Sequence, residues 1–402
     1  MSRHLERQPW LTDSATRAVM DALTAAGGAD CARFVGGCVR NALIERPVDD
    51  VDIATRLLPD AVIVALARAG LKAVPTGLAH GTVTAVSGGK GFEITTLRRD
   101  VSTDGRNATV AFTDDWAEDA ARRDFRLNAL YADAEGTVFD PTGEGVADAL
   151  AGRIVFVGDP QTRIREDYLR ILRFFRFLAW YGRGRPDDDA LAACAALAPG
   201  MARLSAERVS KELLKLLAAP DPVMTVQAMD QAGVLAVILP EARLDGRFAA
   251  MVGISDDATL RLSVLLPADA GAAARAAERL RMPNAVRDRL AAAVRAEPSL
   301  DLDDRGARAA VYRQGGPAVT DGIFRAWAGA PERGADARRL LAVAQGWSPP
   351  RLPVGGRALE RLGVAAGPET GRLLKAFEEG WIADDFPSDG HEARLRALLA
   401  PR

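Results

Sequence analysis

Two aspartates one residue apart, Asp50 and Asp52, follow a pair of glycines, Gly36 and Gly37, within the stretch RFVGGCVRNALIERPVDDVDIATR of residues 33–56. On a β-strand alternate side chains share a face, so DVDIAT would aim both carboxylates into one space, about 7 Å apart along the strand. Two such charges repel unless a cation lies between them. Hard oxygen ligands of this kind suit magnesium, which also binds substrate phosphates. A solvated acidic edge strand would carry the same pair, but Val51, Ile53 and Ala54 supply the apolar positions of a strand packed in a core, which favours the metal.

Gly36 and Gly37 end the apolar run ARFV where a helix, CVRNALIE, would begin. Helix N-termini flanked by glycine offer free N–H groups to a phosphate. A Gly-Gly pair taken alone more often marks a tight turn, because so short a motif matches by chance. Arg40, one helical turn on, would reach triphosphate oxygens in the first reading and Asp50 or Asp52 in the second. Glu93, in FEITTLR, would supply a third carboxylate from a neighbouring strand, or pair with Arg98 or Arg99; the residues alone leave both open.

A second polar constellation lies in EDYLRILRFFRF, residues 166–177. At 100° per residue, Glu166, Asp167, Arg170 and Arg173 fall within roughly 120°, while Leu169, Ile171, Leu172, Phe174, Phe175 and Leu178 fill most of the remainder. Pairing Glu166 with Arg170 at i, i+4 would stabilise by only about 0.2–0.5 kcal/mol and leaves Asp167 and Arg173 without a task. A carboxylate acceptor beside guanidinium donors complements an exocyclic amine next to an unprotonated ring nitrogen. Cytosine and adenine present that pattern, whereas guanine and uracil present the reverse. A protein surface that selects C and A follows.

The elements that must position these groups divide by type. Residues 1–155 hold the β-rich runs ARFVG, DVDIAT, GTVTAV, FEITTL, NALYAD, TVFD and RIVFV, with helical SATRAVMDALTAAG and PDAVIVALARAG between them. Beyond about residue 160, Ala-, Leu- and Arg-rich segments with helical spacing take over. An α+β chain is expected, a mixed α/β N-terminal domain followed by an all-α C-terminal half. Boundaries are expected at 1–155, 156–220, 221–348 and 349–402, the last marked by SPPRLPVGG. The segment RRDVSTDGRNAT, 98–109, reads as a polar loop between β segments, near the nucleotide or merely on the surface.

With 402 residues the chain fits two or more domains, and no apolar run approaches a bilayer span. The N-terminal MSRHLERQPWLTD has no apolar h-region, so no secretion signal is expected. Three cysteines without a Cys-x-x-Cys pair suggest neither a disulfide framework nor a zinc site, and the cytoplasm is the expected compartment. Net charge is −2, yet residues 163–215 carry eleven Lys and Arg against seven Asp and Glu. A local surplus of this kind suits an RNA backbone, with Arg208, Lys211 and Lys215 as candidate contacts; a solvated helical face is the ordinary alternative. The histidines are His4, His80 and His391, with no plausible Ser-His or Cys-His constellation, as expected of transfer to a phosphate that needs positioning and charge.

These residues carry a resemblance. GGCVR (36–40), DVD (50–52), RRDFRLNAL (122–130), DPTGEGVADAL (140–150), EDYLRILRFFRF (166–177) and SAERVSKELLKLL (205–217) occur in the order seen in the bacterial tRNA nucleotidyltransferase and poly(A) polymerase family. The sequence resembles in particular the CCA-adding enzymes of the polymerase-β-like superfamily. Asn41 departs from the pattern, which usually has aspartate there, and this bears on a local capping contact more than on the metal site.

The resemblance implies a polymerase-β-like nucleotidyltransferase domain in which Asp50 and Asp52 hold magnesium and Gly36, Gly37 and Arg40 meet the triphosphate. Arg123 and Asp124 would hold the phosphate and ribose side of the nucleotide, and Asp167, Arg170, Arg173 and Arg176 would face the base and the RNA end. The implied reaction is untemplated addition of CCA to tRNA from CTP and ATP, with release of pyrophosphate and two metal ions assisting in-line transfer. A poly(A) polymerase or a CC- or A-adding enzyme of the same family is the alternative, although the long basic tail typical of the former is not evident. A catalytically silent RNA-binding protein would not need the aspartate pair, and a small-molecule nucleotidyltransferase would not need the basic helical half.

Overall fold

The computed structural model describes residues 3–5, 8–104 and 107–400, and of residues 100–110 the backbone only. The chain divides into two compact units, Met1–Pro240 and Glu241–Arg402. In the first, the strands are β1 (Arg3–His4), β2 (Ala32–Val35), β3 (Asp52–Thr55), β4 (Lys72–Gly77), β5 (Thr82–Ser87), β6 (Lys90–Thr96), β7 (Arg98–Asp104), β8 (Asn107–Phe112), β9 (Tyr131–Ala132) and β10 (Thr137–Phe139). Its helices are α1 (Pro9–Thr12), α2 (Ser14–Gly27), α3 (Gly37–Leu43), α4 (Pro59–Arg68), α5 (Trp116–Ala121), α6 (Gly145–Ala151), α7 (Pro160–Glu166), α8 (Leu169–Tyr181), α9 (Asp188–Leu197), α10 (Ala206–Leu217), α11 (Val223–Gln231) and α12 (Val234–Ile238).

The sheet runs β1-β10-β9-β2-β3-β6-β5-β4, with β3 and β6 parallel and the other pairs antiparallel. The β3–β6 register sets Asp52 opposite Glu93 and the buried Ile53 opposite the buried Ile94. Alternation along β3 puts Asp52 on the same side as Ala54. Ala54 packs in a core with Val35, Leu97, Trp116, Ala120 and Tyr131, so the carboxylate at the head of β3 looks toward the face that α5 covers. β2 is buried at all four positions and ends at Gly36, whose φ of 73° lies in the left-handed region that glycine adopts without penalty. The chain can therefore turn directly from β2 into α3.

The segment 98–109, expected as a loop, is instead the antiparallel β7–β8 ribbon, paired from Arg98↔Phe112 to Asp104↔Asn107 with an irregularity between Asp100 and Ser102. Residues 105 and 106 of that stretch lie outside the described residues. RIVFV, expected as a strand, contributes only an isolated bridge between Phe156 and Phe125. That bridge belongs to an aromatic cluster. Phe125 lies 4.9 Å from Phe156 and 5.2 Å from Phe177, and Phe156 stacks on Phe174 at 5.9 Å. The cluster fastens the chain that follows α5 to α8.

The single helix expected over residues 166–177 is interrupted. Asp167 has extended angles (φ −152°, ψ 107°), so α7 ends at Glu166 and α8 begins at Leu169. The cause is local: Asp167 Oδ1 accepts from the Leu169 N–H at 3.0 Å, a side-chain bond that competes with the helical ladder. Tyr168, at the break, lies against Gly200, and its ring fills the space a Cβ at 200 would take. Farther on, Val209, Leu213, Leu216 and Leu217 bury one stripe of α10, at the i, i+4, i+7 and i+8 spacing of an amphipathic helix.

The second unit is helical: α13 (Gly246–Ile254), α14 (Ala258–Leu265), α15 (Ala270–Arg279), α16 (Asn284–Arg295), α17 (Asp304–Gln314), α18 (Gly316–Gly329), α19 (Gly334–Gly346), α20 (Gly356–Glu360), α21 (Pro368–Ala383) and α22 (His391–Leu399). One core gathers Val311, Val319, Ile323, Leu340 and Leu341, and another Leu359, Phe377, Trp381 and Leu395. The α+β composition read from the sequence is what the chain adopts. Among the described residues no helix is long and apolar enough to cross a membrane.

Phe174 is fully buried between Phe156 and Phe175. Phe174→Ala should cost about 3–5 kcal/mol through lost burial and a residual cavity, read as a lower urea midpoint.

Candidate active site

Asp52 heads β3, Glu93 faces it across the parallel pair, and Asp50 stands two residues before it, outside the strand. Although Asp52 is exposed as a whole residue, its carboxyl is pushed up to about 6, first by lost hydration and then by the negative charges of Glu93 and Asp50. Arg123 pulls the other way. The negative charges of Glu93 and Asp50 thus disfavour a charged Asp52, the situation a bound cation relieves. Among the described residues no closed cluster of three or more His, Cys, Asp or Glu is gathered as a ready metal cage. The donors are hard carboxylate oxygens.

Arg123 is held from behind. Asp119, on α5, is buried and takes Arg123 Nη2 at 2.9 Å, Arg122 Nη2 at 2.7 Å and the Tyr131 hydroxyl at 2.7 Å. Burial alone would raise its pKa; Arg123 and then Arg122 outweigh burial and hold the carboxyl well below the usual range. Asp119 was missed in the sequence reading, yet its spacing was available: it stands three and four residues before the two arginines, neighbours on a helical surface. A Cβ on Gly36 would lie 3.7 Å from Arg123 Nη1 and 3.6 Å from the Asn128 carbonyl oxygen. The glycine turn, Arg123 and Asp52 therefore share one neighbourhood.

Arg40 lies in α3 and is buried. Its Nη2 donates to Asn41 Oδ1 (2.8 Å) and to the Tyr181 hydroxyl (2.8 Å), and its Nη1 to Asn128 Oδ1. It pairs with neither Asp50 nor Asp52. Asn41, the departure from the usual aspartate, accepts from Arg40 and donates to the Pro47 carbonyl at 2.8 Å. A neutral amide serves that double role, donating and accepting at once.

Asp124 is buried and accepts from Arg173 Nε (2.7 Å) and Nη2 and from Asn128 Nδ2 (3.1 Å). Burial pushes its pKa up, and Arg173 more than reverses this to about 2. Asp167 takes Arg208 Nη2 at 2.6 Å. Arg170 Nη1 donates to Glu166 and to the Arg163 carbonyl, and its Nη2 to the Arg122 carbonyl. Arg176 pairs with the buried Glu212 of α10. All four polar groups expected on the 166–177 surface thus have internal partners, and the i, i+4 pairing of Glu166 with Arg170 is present. Arg173 keeps a third of its side chain exposed against 13% for Arg170, so it is the more accessible to a ligand. Lys211 and Lys215 are exposed on α10 without an ion-pair partner among the described residues.

A family profile described as "Poly A polymerase head domain" matches residues 32–155, and one described as "Probable RNA and SrmB- binding site of polymerase A" matches 185–244. A mouse (Mus musculus) protein named CCA tRNA nucleotidyltransferase 1, mitochondrial, is 33% identical over 389 residues, covering 90% of this chain and 85% of its own length. The chain belongs to the tRNA nucleotidyltransferase and poly(A) polymerase family. A Geobacillus thermodenitrificans protein named CCA-adding enzyme is 39% identical over 212 residues, 52% of this chain and 50% of its own. The crystal structure titled Bacillus stearothermophilus CCA-adding enzyme in complex with CTP superposes with a TM-score of 0.75 at 26% identity, covering 97% of this chain and 98% of that one. Nucleotidyltransferases of this family imply a divalent metal, and the crowded oxygen donors at Asp50 and Asp52 fit one.

The Asp124–Arg173 pair makes stability pH-dependent with a definite sign. A carboxyl near 2 when folded and about 3.9 when unfolded stabilises the fold above the unfolded value and loses that contribution as pH falls from about 4 toward 2. Asp124→Asn should therefore be less stable by roughly 2–3 kcal/mol at pH 7, with the gap closing toward pH 2 in urea unfolding.

Proposed function

We propose that this chain adds C, C and A to tRNA 3′ ends from CTP and ATP, without a nucleic acid template, and releases pyrophosphate. The observation that carries the reading is the set of carboxylates on β3 and β6 facing Arg123 beside the glycine turn, with Arg173 joined to the same segment through Asp124. Its relatives' names, CCA tRNA nucleotidyltransferase and CCA-adding enzyme, accord with it. Three free, buried cysteines accord with a reducing compartment, for which we propose the cytoplasm.

In this reading the tRNA 3′-hydroxyl attacks the α-phosphorus in line and the bond to the β-phosphate oxygen breaks. Asp50 and Asp52 would hold magnesium, with Glu93 as a further carboxylate at the edge; bound there, the metal would promote the hydroxyl's deprotonation and neutralise the departing pyrophosphate. Arg123, fixed by Asp119 and Tyr131, holds positive charge beside the glycine turn where phosphate oxygens would lie. Arg173 and Arg176 present cations on α8, and Arg208, Lys211 and Lys215 extend the positive charge along α10 toward the RNA. Transfer of this kind needs positioning and charge rather than a protein nucleophile.

Base choice is assigned to Asp167 and Arg170. Each Asp167 oxygen retains a lone pair beyond its present bond, and Arg170 has engaged three of its five N–H donors, so both keep capacity for a base edge. An exocyclic amine beside an unprotonated ring nitrogen would satisfy them, and uracil or guanine would leave both unmatched.

Purified protein with magnesium and tRNA ending before the first C, after one C or after both, offered each nucleotide singly, should incorporate C, C and then A. Long A tracts would instead point to a poly(A) polymerase, and no incorporation to a silent RNA-binding protein. Asp50→Ala and Asp52→Ala should abolish both CMP and AMP incorporation while the melting temperature holds. Asp167→Ala and Arg170→Ala should lower kcat/KM for CTP by roughly ten- to a hundredfold and shrink the CTP:UTP ratio. A ratio that stays fixed while stability drops would mean these side chains only brace the α7–α8 junction.

A further inference from the structure

A line of hydrogen bonds leaves α8 and returns to it. Arg173 donates to Asp124 Oδ2; Asp124 Oδ1 accepts from Asn128 Nδ2 at 3.1 Å; Asn128 Oδ1 accepts from Arg40 Nη1; and Arg40 Nη2 donates to the Tyr181 hydroxyl at 2.8 Å. The aromatic side of the same loop is Phe177, 5.4 Å from Tyr181, with Arg40, Arg173 and Arg176 at 5.3, 5.6 and 4.5 Å from its ring centre. Asp124, Asn128 and Arg40 are buried.

The middle member has a fixed polarity. A carboxylate only accepts and a guanidinium only donates, so the Asn128 amide must turn its NH2 to Asp124 and its carbonyl oxygen to Arg40. Aspartate at 128 would lack the donor and leucine would lack both groups. Asn128 also borders the glycine turn, since its backbone oxygen lies 3.6 Å from where a Gly36 Cβ would be. Asn128 thus touches the anchor of Arg173 and the guanidinium of Arg40 through its side chain, and borders the turn beside Arg123 through its backbone oxygen.

We infer that Asn128 is a positioning residue that couples base selection on α8 to seating of the triphosphate beside the glycine turn. This rests on the CCA-adding reading above. A base that seats correctly leaves Arg173 in register with Asp124, and the rigid amide carries that register to Arg40 and α3. A base that displaces Arg173 pulls on Asp124, tilts the amide and shifts α3 with it. Mismatch is then felt in the chemical step as well as in binding, through a residue that itself contacts neither base nor phosphate.

The test is single-nucleotide incorporation on tRNA lacking CCA, with kcat and KM measured separately for CTP and UTP. Asn128→Leu keeps the volume and removes both hydrogen bonds. It should lower the CTP:UTP ratio of kcat/KM about tenfold, with most of the loss for CTP in kcat. Combined with Arg173→Ala it should do no more to that ratio than the worse single variant, because both cut one line. A ratio unchanged in Asn128→Leu, or effects that multiply in the double variant, overturns the coupling. Should Asn128→Leu fail to fold, Asn128→Ala removes both hydrogen bonds without adding bulk or charge; a wild-type ratio there overturns the inference equally. Wild-type protein that incorporates neither C nor A overturns the CCA-adding reading and the coupling together, whereas normal wild-type addition with an unmoved ratio removes the coupling alone.

Discussion

Like charges held side by side on one sheet are the constraint on which the rest of the first unit depends. Parallel pairing of β3 with β6 leaves Asp52 and Glu93 no freedom to separate, because a register slip would turn Ile53 and Ile94 out of the core. The apolar face of the strands thus enforces the repulsion on the polar face. Burial of two isoleucines holds the register against the crowding of carboxylates, and the site persists as a place of unmet negative charge.

Such a place needs positive charge near it, fixed but not neutralised. Arg123 fills that role because Asp119 and Tyr131 bind it from the protein side and leave its other edge toward Gly36. The same arrangement recurs at three further cations: Arg173 is backed by Asp124, Arg176 by Glu212 and Arg208 by Asp167. Each long side chain has its conformational entropy removed by an internal carboxylate before any ligand arrives, so less ordering remains for the ligand to bring about.

Much of this was legible. The strands of DVDIAT and FEITTL, the glycine turn and the helical second half follow from alternation, apolar runs and helical spacing, and the pairing of Glu93 with the aspartate strand was one of two readings the sequence allowed. What was hidden has physical causes. Strand alternation could not reveal that Asp50 falls outside β3, because Asp50 and Val51 form no ladder bonds. Helical periodicity could not reveal the interruption at Asp167, which arises from one side-chain bond to the Leu169 N–H. Nor could spacing reveal Arg40 meeting Asn128, 88 positions away, since only tertiary packing brings α3 to that segment.

The interruption at Asp167 also carries a steric condition. Tyr168 can occupy the break only because position 200 has no side chain; a Cβ there would coincide with the ring. The two positions are therefore one steric unit shared between the α7–α8 junction and the turn after α9. Among relatives they should vary together: any residue larger than glycine at 200 calls for something smaller than tyrosine at 168, and a lineage that changed one without the other would have to reshape the junction that holds the carboxylate beside it.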